Sequence, residues 1–215
     1  MSKNMEPVAT RFEAAKALRA LGHRFVDAEL TNDQLQRIQA IASQLTREFA
    51  SSPQRARSTD DLAEETALGR PADGEEMDHS PSCPISGKEN PHGLAMHVRR
   101  DGEDVVADVT FDSGYAGMPG YVHGGSVAGV LDDVMGFVLS SMNGLYGYTA
   151  TMTVNYKAPV RIGRPVECRG RLVRRDGRKL YIDSELTQSD GTVLADATAL
   201  FIEVEIATIA ASLRS

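Results

Sequence analysis

Tryptophan is absent from this chain, and cysteine is scarce: Cys83 and Cys168 are the only two among 215 residues. They lie far apart and form no CxxC pair, so a cysteine-rich zinc site and a disulfide framework are both unexpected. Positive charge is in deficit, with a formal net charge of −7. That argues against a general nucleic-acid binder, which needs an electropositive surface. No run of about 18 uncharged apolar residues occurs, so no membrane span is expected. The N-terminus, Met1-Ser-Lys-Asn-Met-Glu-Pro7, lacks an apolar signal core, and a cytoplasmic location is the resulting expectation.

What the chain does have is length for one domain of about 100–200 residues plus appendages, and charge that is unevenly placed. Residues 57–79 carry eight acids against Arg57 and Arg70, whereas residues 157–179 carry nine bases against Glu167 and Asp176. A basic segment in an acidic protein suits either a small anionic ligand or solvated strand faces.

Periodicity divides the chain. Residues 8–21 and 31–50 read as helices, the second opened by Thr31 and Gln34 at capping-box spacing. Leu35, Ile38, Ala42, Leu45 and Phe49 then form a stripe that must pack on something. Residues 51–92 are broken by Pro and Gly and rich in acids, which predicts disorder or extended wrapping. From about residue 93 the period becomes two. Leu94, Met96 and Val98, a turn at Arg100-Asp-Gly-Glu103, then Val105, Ala107, Val109 and Phe111 predict a hairpin. A long apolar helix follows over 124–142, then strands at 148–157, 166–174, 179–188 and 192–204. The order predicts an α+β architecture, with the helix central and an antiparallel sheet of about five to six strands around it.

That helix begins His123-Gly124-Gly125 and carries Asp132 and Asp133. Residues one turn from Asp132 are Ala128, Gly129, Met135 and Gly136, with Gly125 two turns back. Glycine costs up to about 1 kcal/mol in a helix, so the run signals close approach by a ligand or by the sheet. Asp132 is preferred to Asp133 because its face is the open one. Gly124 and Gly125 fall where a helix has unpaired N–H groups, able to hold a developing oxyanion. His123 orients this turn or contacts a ligand. Strand 148–157 has one wholly polar face, Thr149, Thr151, Thr153, Asn155 and Lys157, which is unexpected on a strand internal to a sheet. Lys157, Arg178 and Lys179 are candidate phosphate contacts.

These residues resemble the hotdog-fold acyl-CoA thioesterases that carry an HGG…D motif, including phenylacetyl-CoA thioesterase-like proteins and longer members with an N-terminal extension. The resemblance covers about residues 81–205. His123-Gly-Gly with Asp132 carries it, supported by Tyr115-Ala-Gly-Met-Pro-Gly-Tyr-Val-His123, Asn155-Tyr-Lys-Ala-Pro159, Asp176-Gly-Arg-Lys179 and Asn90-Pro-His-Gly-Leu94. Two departures stand out. Gly117 occupies a place where some relatives carry Asn, and Cys83-Pro-Ile-Ser-Gly87 replaces a CxxCG sequence.

The resemblance implies a hotdog domain at 81–205, preceded by an N-terminal helical extension at 1–50 and an acidic linker at 51–80, with a C-terminal tail at 206–215. It implies a cofactor-free, metal-free hydrolase acting on an acyl-CoA or acyl carrier protein thioester, assembled as a homodimer or homotetramer. Asp132 would be general base or nucleophile, Gly124 N–H the oxyanion donor from the opposite subunit, and Thr149 the hydroxyl that orients water. His123 completes the catalytic set. Gly125, Asn155, Lys157, Arg178, Lys179 and Asp183 would bind substrate. The alternative is a non-catalytic acyl-CoA binding module, which needs the pocket but not the acid.

Overall fold

The computed structural model describes residues 6–53, 55, 69–78, 80–94, 96–205 and 207–208. Asp60, Asp61, Glu64 and Glu65 of the acidic run lie outside them, as does the C-terminal tail apart from residues 207–208.

Helix α1 (Glu6–Asp27) runs further than the periodicity indicates, passing through Gly22. Its second half is held by tertiary contacts, which outweigh the propensity of one glycine. Helix α2 (Asn32–Phe49) opens on a capping box: Thr31 Oγ1 accepts from Gln34 N–H at 3.3 Å, and Gln34 Oε1 accepts from Thr31 N–H at 2.9 Å. Its apolar stripe is not buried among the described residues.

Strands β1 (His97–Asp101) and β2 (Asp104–Thr110) make the expected hairpin around Gly102. Helix α3 (Gly124–Asn143) follows, then β3 (Gly147–Tyr156), β4 (Pro165–Asp176), β5 (Lys179–Thr187) and β6 (Val193–Glu203). The six strands form one antiparallel sheet in the order β1-β2-β4-β5-β6-β3. Strand β3 is thus an edge strand paired with β6, not an internal one. Among the described residues its polar face meets no second sheet or helix, which explains that face in physical terms.

Helix α3 lies across the sheet, burying Val127, Val130, Leu131, Val134, Met135, Val138 and Leu139. By length and composition it could cross a membrane; here it is the core of a hotdog. Close approach is built in. A Cβ on Gly170 of β4 would lie 2.9 Å from Val134 Cγ1 and 3.2 Å from Val138 Cγ2. Buried Ser184 of β5 donates to Leu131 O at 3.3 Å. The helix ends where Gly144 takes a left-handed conformation, φ 62°, and Leu145 N–H returns to Leu139 O at 3.0 Å.

Candidate active site

The start of α3 is built by His123. Its ring caps the helix, Nδ1 accepting from Gly125 N–H at 3.0 Å. An accepting Nδ1 places the neutral ring's proton on Nε2. Gly125 N–H is therefore engaged, while Gly124, at the first helical position, has no intrahelical partner for its own N–H. The Tyr156 hydroxyl donates to Gly124 O at 3.0 Å and fixes the turn from below. Gly117, the position of the first sequence departure, packs on this turn: a Cβ there would be 2.8 Å from His123 Cα. No side chain fits without a shift, so this position offers no amide.

Asp132 sits two turns on, half-buried, and accepts from Thr149 Oγ1 at 2.9 Å. Strict alternation would put Thr149 on the outer face with Thr151. A β-bulge at Ala150 prevents this. Thr149 pairs with Phe201, and Thr151 with Leu200, so Thr149 joins Met152, Val154 and Tyr156 on the helix side. Burial pushes the Asp132 carboxyl above its ordinary value; the Thr149 hydrogen bond opposes this and the Asp133 charge adds to it.

Asp133 has a different task. It accepts the Cys83 thiol at 3.0 Å, tying the segment before β1 to α3. Burial and the Asp133 carboxylate push the Cys83 thiol up, so it stays protonated. The glycines around the acids also separate by role. A Cβ on Gly129 would be 2.7 Å from Ile85 Cδ1, whereas one on Gly136 would meet nothing within 4 Å. Gly136 instead opens on a cavity of 380 Å³ that both acids line, together with Ser80, Cys83, Tyr146 and Thr149.

The substrate-binding candidates lie elsewhere. Asn155 and Lys157 turn outward and bind Asp196, Asn155 Nδ2 to Oδ1 at 2.7 Å and Lys157 Nζ to Oδ2 at 2.6 Å. Asp183 is on the same outer face, opposite Thr198 and Arg171. Arg178 is nearer the cavity: its Nε donates to Glu203 O at 3.0 Å, and Glu203 pairs with cavity-lining Gly147. Lys179 follows it at the start of β5, opposite Ile202. Asp132 and Thr149 are thus brought together, and Gly124 stands about 12 Å from Asp132 along the axis, eight residues at about 1.5 Å each. Tyr156 was missed in the sequence, although it sits inside Asn155-Tyr-Lys-Ala-Pro159. Among the described residues no cluster of His, Cys, Asp or Glu is placed to hold a metal ion.

The sequence profile of the Thioesterase superfamily matches residues 119–195, from the Gly124 turn into β6. A crystallised thioesterase superfamily protein superposes with a TM-score of 0.73 at 25% identity, covering 89% of this chain and 90% of its own. The fold is a hotdog, and residues 119–195 are similar to the Thioesterase superfamily. Acyl-coenzyme A thioesterase THEM4 of Rattus norvegicus is 36% identical to it over 90 residues, 41% of this chain and 38% of the rat protein. The Xenopus laevis protein of the same name is 34% identical over 89 residues, 41% of this chain and 40% of its own. The chain thus spans about two fifths of the length of the curated relatives it matches. The matched stretch contains His123, Gly124, Asp132, Thr149 and Tyr156.

Proposed function

We propose that this chain hydrolyses acyl-CoA thioesters to the free acid and thiol. The observation that carries the reading is the Asp132–Thr149 pair lining a cavity, on a helix whose first N–H has no intrahelical partner. Asp132 takes the proton of a water as that water attacks the thioester carbonyl carbon, or attacks the carbon itself. Thr149 holds one carboxylate oxygen and leaves the other for this work. The carbonyl oxygen gains charge, and Gly124 N–H at the positive end of α3 stabilises it. The thiolate then leaves and is protonated, by the proton Asp132 took from water or, where Asp132 attacked, by solvent, after which a water hydrolyses the Asp132 acyl anhydride to the free acid.

A separation of about 12 Å is too great for Gly124 and Asp132 of one chain to flank one carbonyl carbon. That favours two copies, each completing the other's site. Tyr156, 57% exposed beside Gly124, offers an uncovered aromatic surface for the second copy. Arg178, linked to cavity-lining Gly147 through Glu203, and the adjacent Lys179 are the bases we assign to the anionic end of CoA.

The test is thiol release across a panel of acyl-CoAs. Asp132→Asn is expected to lose at least about a hundredfold in kcat/KM, the scale of a general base. Full activity in that variant overturns the assignment, and binding without any thiol release by the unaltered chain points to the non-catalytic module instead.

A further inference from the structure

A second cavity, of 620 Å³, lies beside the first and is not used by the chemistry above. Ser80 lines both. On α3 the two are consecutive: Gly136 faces the acid cavity, and Phe137 the second. Phe12 of α1, Met77, Pro81, Met96, Val98 and Phe137 give it an apolar lining. Its charged neighbours are already paired. Lys88 Nζ is 2.8 Å from Asp78 and 3.1 Å from Glu76, and Glu89 is 2.6 Å from Arg55. What remains on offer inside is hydrocarbon contact. The volume falls in the range of small-molecule sites, about 300–1,000 Å³.

One wall of this cavity belongs to the N-terminal extension, and that wall is firmly seated. Arg19 of α1 is 9% exposed, and its guanidinium donates to Asn90 O at 2.6 Å and Lys88 O at 3.1 Å. One turn further, His23 packs on Tyr115 with ring centroids 5.5 Å apart, and the Ser113 hydroxyl donates to His23 O at 2.9 Å. A buried guanidinium spent on two backbone carbonyls fixes α1 against the segment that carries Lys88 and Glu89.

We propose that this cavity receives the aliphatic tail of the acyl group whose carbonyl lies at Asp132, making α1 a wall of the substrate pocket. The inference rests on the thioesterase reading for its carbonyl end. Two methionines in the lining, Met77 and Met96, favour a flexible chain over a rigid ring, because their thioether side chains adapt to varied shapes. The extension thereby sets acyl-length preference, a property that the hotdog body's two acids cannot set alone.

The experiment measures kcat/KM of the full chain for dodecanoyl-CoA and acetyl-CoA and takes their ratio. Met96→Trp fills the cavity, and the ratio is expected to fall at least about tenfold, the scale on which apolar pockets discriminate. Phe12→Ala, on a half-exposed helix position, removes the wall and is expected to lower the same ratio through a higher KM for dodecanoyl-CoA. A partly unfolded variant lowers both rates alike and leaves the ratio unchanged, so loss of stability cannot imitate the effect. Unchanged ratios in both variants overturn the proposal even where Asp132→Asn abolishes hydrolysis. If the unaltered chain hydrolyses neither ester, calorimetry with dodecanoyl-CoA decides: binding weakened by Met96→Trp supports the cavity, and equal binding overturns it.

Discussion

The two faces of the sheet follow different rules. On the helix side, β6 presents Ala195, Ala197 and Ala199, β4 presents Gly170, and α3 fits against them with little spare room. On the outer side, charges alternate in sign across strands. Arg169 lies between Asp101 at 2.8 Å and Asp104 at 3.1 Å, Arg99 is 2.6 Å from Asp108, and Lys157 is 2.6 Å from Asp196. Arg174 stacks over Tyr181 at 3.9 Å. Shape decides the first face, where a single methyl group matters. The second stands in high dielectric, where each ion pair contributes little. A side chain's importance therefore follows from its side of the sheet more than from its charge.

The contrast can be broken most sharply at Gly124. Proline suits the first helical position, and His123 already has the extended conformation, φ −64° and ψ 133°, that a residue before proline requires. Gly124→Pro thus deletes one N–H with little change of shape. Thiol release is expected to fall about 100- to 1,000-fold with the melting temperature kept, while Gly124→Ala, which retains the N–H, stays close to the unaltered rate. Next in size is packing. Gly170→Val places a Cβ against Val134 and Val138, and denaturant unfolding is expected to show a loss of about 1–3 kcal/mol.

Thr149→Val sharpens the comparison through pH. In the proposed reaction Asp132 acts only when ionised, so the rate is expected to fall as pH drops through its pKa, which burial already holds above the ordinary 3.8. Losing the hydroxyl removes the one influence that lowers it. The acid limb of the kcat/KM profile is expected to move to higher pH, with a rate loss of about tenfold from the weaker hold on the carboxylate. A limb that stays in place breaks the link between Thr149 and Asp132. The smallest effect is expected outside. Lys157→Ala should cost under about 1 kcal/mol of stability, while NMR titration of Asp196 should move up toward 3.8, because hydrogen bonds from Asn155 and Lys157 now hold it down.

Much of the helix side was legible in the sequence. The 124–142 period and the Gly144 stop follow from spacing within one element, and the capping box of α2 is equally local. Three features were not local. The edge position of β3 depends on which strand pairs with β6, and alternation looks the same on an edge or inside. The end of α1 depends on His23 meeting the turn at Ser113–Tyr115, some 90 residues away. The facing of Thr149 depends on a bulge that no residue type in Tyr148-Thr-Ala-Thr151 announces. Asn155 and Asp183 were grouped with the site by resemblance and Lys157 first by its charge, whereas in this chain they stand on the side opposite Asp132.

The extra residue at Ala150 has a consequence for comparing chains. Thr149 and Thr151 are separated by an even number of steps yet face opposite sides, so the strand changes parity once between its ends. A related strand lacking the extra residue keeps its parity throughout, and there the hydroxyl that reaches the helix acid stands one place closer to the residue matching Met152. An ungapped alignment of the two would match Thr149 with a residue on the wrong side. The gap belongs at Ala150, and only with it there do the two hydroxyls correspond.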